Sequence, residues 1–130
     1  MAIIGHGIDL VEIARIGRMV EEHGKHFLDR CFTEKEQAYC LPPKRATEHL
    51  AGRFAVKEAI LKVLGTGWRG QIAWTDMEIL NDAAGKPHVT LSGECGRIAE
   101  ELGIKAWHVS ISHTAVHAMA SAIGEGEDGN

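Results

Sequence analysis

Two cations stand inside an apolar run, Arg53-Phe54-Ala55-Val56-Lys57-Glu58-Ala59-Ile60-Leu61-Lys62-Val63-Leu64. At about 100° per residue, Leu50, Phe54, Leu61 and Leu64 fall together, and Val56, Ile60 and Val63 widen the same arc. Arg53 and Lys57 lie within that arc. Ala51, Gly52, Ala55 and Ala59 take the opposite side, and only Glu58 and Lys62 form a polar strip. A buried cation without a partner is strongly disfavoured. Lysine can respond by losing its proton; arginine cannot. Arg53 and Lys57 therefore require anions, unless their stems carry the charges out to water. Those anions are either carboxylates elsewhere in the chain or the phosphates of a ligand. Gly65-Thr66-Gly67 follows at once; such a segment offers N–H groups to phosphate oxygens, and equally serves as an ordinary helix stop.

A second group of interest lies near the N-terminus. In strand alternation Gly5, Gly7 and Asp9 share one face, and Ile4, His6, Ile8 and Leu10 the other. Two glycines beside the acid suggest a hollow where something approaches closely. Asp9 either caps the helix that follows or, with Glu58, holds Mg²⁺. That ion takes one or two protein carboxylates and completes its shell with waters and substrate oxygens. His108 and His113 point to opposite faces of their strand and form no shared metal pair. His113 and Thr114 stand at the strand's end, where polar groups can meet a ligand. The remaining histidines, His23 and His26 among them, read as surface or satisfied core residues. No Ser-His-Asp or Cys-His spacing is visible.

The elements that must carry these groups are legible. A strand over 3–10 leads into a helix over about 11–23, stopped by Gly24, and a short helical piece covers 26–31. Thr33-Glu34-Lys35-Glu36 is a capping box, and Pro42-Pro43 ends that helix. The central helix spans about 45–64 and reads as buried nearly all round. A strand over 72–80, a turn at 83–86, a strand from 88 to 91, a helix capped by Ser92 and ending near Gly103, and strands over 107–112 and 117–123 complete the pattern. The fold class expected is α+β: an antiparallel sheet packed with helices, one of them long and central.

Composition narrows the function. With 130 residues, a single domain over 1–123 is expected, followed by an acidic tail, 124–130, that frays. A formal net charge of −4 argues against a general nucleic-acid binder. Cys31, Cys40 and Cys95 are odd in number and far apart, as free thiols of a reducing compartment are. No signal peptide or membrane-length apolar run is present, so a cytoplasmic protein is expected.

Taken in order, Gly7-Ile8-Asp9, Arg53-Phe54-Ala55-Val56-Lys57-Glu58-Ala59 and His108-Val109-Ser110-Ile111-Ser112-His113-Thr114, with Gly65-Thr66-Gly67 and Gly85-Lys86-Pro87 between them, resemble the holo-acyl-carrier-protein synthases. The resemblance runs over almost the whole chain. It implies the 4′-phosphopantetheinyl transferase fold. It also implies transfer of the phosphopantetheine arm of coenzyme A to a serine of apo acyl carrier protein, for fatty acid biosynthesis, leaving 3′,5′-ADP. Carried over residue by residue, Asp9 and Glu58 would bind Mg²⁺. Lys57 and Lys62 would lie near the phosphates, and Glu58 or a water would take the serine proton. Arg45, Arg53, His113 and Thr114 would hold the coenzyme A phosphates, with Gly65, Thr66 and Gly67 along the ligand. The family is typically homotrimeric, with sites at subunit boundaries. Arg15, Arg18 and Lys25 are the expected basic contacts for the acidic carrier, although Glu21, Glu22 and His23 make this region less basic than is usual. A Mg²⁺-dependent nucleotide or coenzyme A hydrolase, and a non-catalytic coenzyme A-binding oligomer, are the alternatives.

Overall fold

The computed structural model describes residues 1–41, 45–68 and 70–127. Strand β1 (Ala2–Glu12) runs directly into helix α1 (Ile13–His23), which is followed by α2 (Lys25–Cys31), α3 (Glu34–Cys40) and the central helix α4 (Ala46–Leu64). A 3-10 turn at Trp74–Asp76 leads into β2 (Met77–Asn81) and β3 (Pro87–Leu91); α5 (Gly93–Glu101), β4 (Ile104–His113) and β5 (His117–Gly126) complete the order. β1, β5 and β4 form an antiparallel sheet with β5 in the middle, and β2 pairs with β3 as a separate hairpin.

α4 lies on the inner face of the three-stranded sheet, and α1, α3 and β2 also pack against it. From Leu50 to Leu64 only Glu58 is half-buried and only Lys62 exposed, as its apolar circumference requires. Thr33 forms the anticipated capping box: its backbone N–H donates to Glu36 Oε1 at 2.9 Å, and its Oγ1 accepts from the Glu36 N–H at 3.2 Å. The three thiols are free and buried; burial pushes Cys40 up to about 11 and Cys95 up to about 12, which leaves both unreactive.

Three expectations need revision. The strand over 72–80 is shortened at its start, because the Asp76 carboxylate accepts from the Ala73 N–H at 3.2 Å and closes a tight turn. Ser92 precedes α5 but makes no side-chain cap; Asp76 accepts from the Cys95 N–H at 3.3 Å in its place. The tail does not fray at Gly124: β5 continues to Gly126, pairing with β1 on one side and β4 on the other. Gly124 belongs there because any side chain would press on Ile104 and Val63 at 3.0 and 3.1 Å. The Pro42-Pro43 helix stop lies outside the described residues.

Candidate active site

The glycines of β1 are explained by a helix and not by a hollow. A Cβ on Gly7 would run into the Ala59 carbonyl oxygen and come within 3.1 Å of Lys62 Cβ, and one on Gly5 would sit 3.0 Å from Val63 Cγ1. Glycine lets the strand lie directly on the α4 backbone. That contact sets Asp9 beside the polar strip of α4. The Lys62 ammonium donates to the Ile8 carbonyl at 2.7 Å and to Asp9 Oδ1 at 3.3 Å. Asp9 is not a helix cap; α1 begins after Glu12 without a side-chain cap.

Glu58 shares this corner. Burial raises its carboxyl above the ordinary glutamate range, and the Asp9 charge adds to the rise, while Arg15 and Lys62 oppose it. Two half-buried carboxylates side by side, with Glu58 disfavoured as an anion, form a donor set that a hard divalent cation would relieve. Among the described residues no cluster of three or more His, Cys, Asp or Glu forms a metal cage. Two carboxylates suit Mg²⁺, which keeps waters and substrate oxygens in its shell.

Lys57 is elsewhere, and its assignment to the catalytic group is corrected. Its side chain is fully enclosed, and Nζ donates to Glu36 Oε1 at 2.7 Å, the Cys31 carbonyl at 2.6 Å and the Trp74 carbonyl at 3.2 Å. The other Glu36 oxygen accepts from the Ile79 N–H at 2.9 Å. Burial draws the lysine below its usual range and Glu36 draws it back. The anion required by this cation is therefore a carboxylate of the same chain, and no phosphate can reach it.

Arg53 faces differently. It is 3% exposed, stacks over the Tyr39 ring at 4.6 Å, and donates through Nη2 to Asn81 Oδ1. It lines a cleft of about 400 Å³ with Tyr39, Glu48, His49, Lys86 and His113. Three buried polar atoms around this cleft, Arg53 Nε, His49 Nδ1 and Glu48 Oε2, have no hydrogen-bond partner among the described residues. Such atoms are unusual in a native interior and suit a polar ligand. Burial, aided by the Arg53 charge, keeps His49 below the usual histidine range and so favours the neutral ring. Glu48 lies 3.9 Å from His113 and 4.0 Å from the exposed Arg45. Thr114 is in the adjoining β4–β5 turn, where its hydroxyl accepts from the Val116 and His117 N–H groups. Gly65 caps α4 in the left-handed region at φ 77°, and Gly67 also has positive φ, 60°; the Thr66 hydroxyl bonds to the Gly67 carbonyl.

A groove of about 310 Å³ runs between α1 and α2. Its floor is apolar, with Ile16, Met19, Phe27, Phe54 and Trp74, and its rim carries Arg15, His23, His26 and Arg30. The Phe54 and Trp74 rings lie 4.9 Å apart, and Trp68 stacks on Trp74 at 4.6 Å. Phe54 is one turn before Glu58, and Arg15 is close enough to act on Glu58, so the groove lies next to the carboxylate corner. Of the three basic residues expected for a partner, Arg15 alone is in this groove. Arg18 pairs with Glu12 and Lys25 with Asp29, both exposed. In the sequence His23 and His26 read as surface or satisfied core residues, and Arg30 is not singled out. Their signal was the spacing Arg15–Met19–His23 on one helix and His26–Arg30 on the next, each at i,i+4.

The chain is similar to known proteins over nearly its full length. The family model of the 4′-phosphopantetheinyl transferase superfamily matches residues 5–120. The holo-[acyl-carrier-protein] synthase of Trichlorobacter lovleyi is 46% identical over 93% of this chain and 96% of its own length. The crystal structure of the synthase from Neisseria meningitidis has a TM-score of 0.85 at 33% identity, covering 95% of this chain and 98% of that one. That from Helicobacter pylori, solved in complex with coenzyme A, has a TM-score of 0.81 at 32% identity, covering 92% and 99%. Sequence match and shared fold agree over nearly the full length, and the chain belongs to the holo-acyl-carrier-protein synthase family of the 4′-phosphopantetheinyl transferase superfamily.

Proposed function

We propose that this protein transfers the 4′-phosphopantetheine group of coenzyme A to a serine of apo acyl carrier protein, releasing 3′,5′-ADP, and that Asp9 and Glu58 hold Mg²⁺ for the reaction. The observation that carries the reading is the Asp9–Glu58–Lys62 corner, whose Glu58 lies within reach of the charge of Arg15 on the rim of the apolar-floored groove. The serine oxygen attacks the β-phosphorus, the bond to the 3′,5′-ADP oxygen breaks, and the serine proton passes to Glu58 or to a water beside it. A divalent ion bound to the two carboxylates supplies charge neutralisation to the pyrophosphate. Lys62 stabilises charge at the same corner, and Gly65, Thr66 and Gly67 follow it at the end of α4. The acidic carrier docks on the groove through Arg15 and Arg30, with its serine at the Glu58 end.

Coenzyme A must also reach Arg53, and here the proposal requires more than one chain. Arg53 and Glu58 are about 140° apart around α4, and no residue of the Arg53 cleft belongs to the Asp9 corner. Arg45, Arg53, His113 and Thr114 of one subunit then hold the nucleotide phosphates while Asp9 and Glu58 of the next hold the metal, as in a cyclic homotrimer. The outer face of the sheet supports this: Ile3, Ile8, Leu10 and Met119 are 67%, 51%, 63% and 38% exposed and form an unpartnered apolar surface. No described helix is long and apolar enough to cross a membrane. Action in the cytoplasm, in fatty acid biosynthesis, is part of the same proposal.

The test is the intact mass of an apo acyl carrier protein incubated with this protein, coenzyme A and Mg²⁺. A gain of one phosphopantetheine, lost with EDTA, is expected. Coenzyme A consumed without carrier modification would indicate a hydrolase; coenzyme A left intact would indicate a silent binder.

A further inference from the structure

The rim of the α1–α2 groove mixes two permanent cations, Arg15 and Arg30, with two imidazoles, His23 and His26. Histidine is the side chain whose charge changes between about pH 5 and 8. We propose that His23 and His26 make docking of the acidic carrier protein proton-dependent: the groove holds it tightly when both rings are charged and weakly when both are neutral. This rests on the carrier-docking reading above.

The charges facing the two rings come from three elements. α1 presents Arg15 and Glu22, with the Glu22 carboxylate 3.8 Å from His23 Nε2. α2 presents Lys25, Asp29 and Arg30, and Asp29 is already engaged by Lys25 at 3.2 Å and Gln37 at 3.1 Å. α4 contributes Glu58, whose charge reaches Arg15. Phe54 and Trp74, the remaining walls, carry no charge. With neutral imidazoles the groove keeps two cations against Glu22 and Glu58, a weak attraction for an acidic surface. Protonation doubles the cations on one rim, and both rings are exposed enough to meet a partner. Complementary charge of this kind acts on association with an oppositely charged protein and is screened by salt.

The experiment measures the Kd of a purified bacterial apo acyl carrier protein at pH 6 and pH 8 at fixed salt, without coenzyme A or metal, so that no chemistry contributes. Wild type is expected to bind about ten-fold tighter at pH 6. The doubly substituted His23→Gln/His26→Gln protein, its folding checked by circular dichroism, should bind at both pH values as wild type does at pH 8. His23→Arg/His26→Arg should bind at pH 8 as wild type does at pH 6. A wild type with no pH dependence overturns the inference, as does a glutamine variant that keeps the full dependence, since the titrating groups would then be the carrier's own. Binding at neither pH, with Arg15 and Arg30 intact, overturns the carrier reading itself.

Discussion

At the scale of residues, two neighbours on one helix have opposite tasks. Lys57 is locked to Glu36 inside the protein, and Glu58 faces outward to Asp9. Removing one member of a fully buried ion pair leaves the other charge uncompensated. Lys57→Met and Glu36→Gln should therefore each lower unfolding free energy by about 3–5 kcal/mol in urea titrations, and the double change should cost clearly less than their sum. Asp9→Asn and Glu58→Gln should leave the fold in place and reduce transfer about a thousand-fold or more, read by carrier mass. Their effect on stability has a distinctive sign. Glu58 has a raised carboxyl in the folded state, so in metal-free protein the folded form holds its proton in a window where the unfolded form does not, and stability falls as pH rises through that window. Glu58→Gln should remove this fall, seen as a higher Tm than wild type at pH 7 in EDTA by a few degrees at most, on the order of 1 kcal/mol or less. Added Mg²⁺ should raise the wild-type Tm and leave that of Asp9→Asn unmoved.

At the scale of elements, the closeness of β1 to α4 decides whether the carboxylates meet. Gly7 permits that approach, and its obstacle on substitution is backbone, the Ala59 carbonyl, which cannot rotate away. Gly7→Ala should cost about 3 kcal/mol or more in urea unfolding, at the upper end of overpacking effects, and any folded fraction should lose metal-dependent activity. Stabilisation by Mg²⁺ equal to that of wild type in this variant would show that the strand does not set the corner. The 3-10 turn matters similarly: Trp74 is both a wall of the groove and, through its carbonyl, a partner of Lys57. The groove is thereby tied to α4, the helix that also carries Glu58.

At the scale of the molecule, the separation of the Arg53 cleft from the Asp9 corner makes a sharp prediction. Asp9→Ala and Arg53→Ala proteins should each be nearly inactive alone. After being unfolded together and refolded as mixed copies of the proposed trimer, they should recover about one quarter of wild-type activity, because a site built from two different chains then finds both halves intact about one time in four. No recovery would place both halves in one chain. Leu10→Lys should convert the proposed trimer to monomers by sedimentation and abolish transfer while helix content is kept, since Leu10 is 63% exposed on the outer sheet face.

The order of strands and helices, the capping box at Thr33, the nearly all-round burial of α4 and its narrow polar strip of Glu58 and Lys62 were determined by local pattern: period, caps and the absence of a wet face. These are properties of neighbours in sequence, and neighbours in sequence suffice to read them. The tertiary structure decided everything that depends on distant partners. It assigned Lys57 to Glu36, 21 positions away, where the helix wheel left open whether the anion was internal or a ligand. It showed that Gly7 makes room for a helix backbone, a question of packing that strand alternation does not address. It extended β5 to Gly126, because pairing on both sides stabilises residues whose composition alone suggests a frayed end. It also gathered Arg15, His23, His26 and Arg30 around one groove, since two short helices meeting at Gly24 turn separate i,i+4 spacings into a single surface.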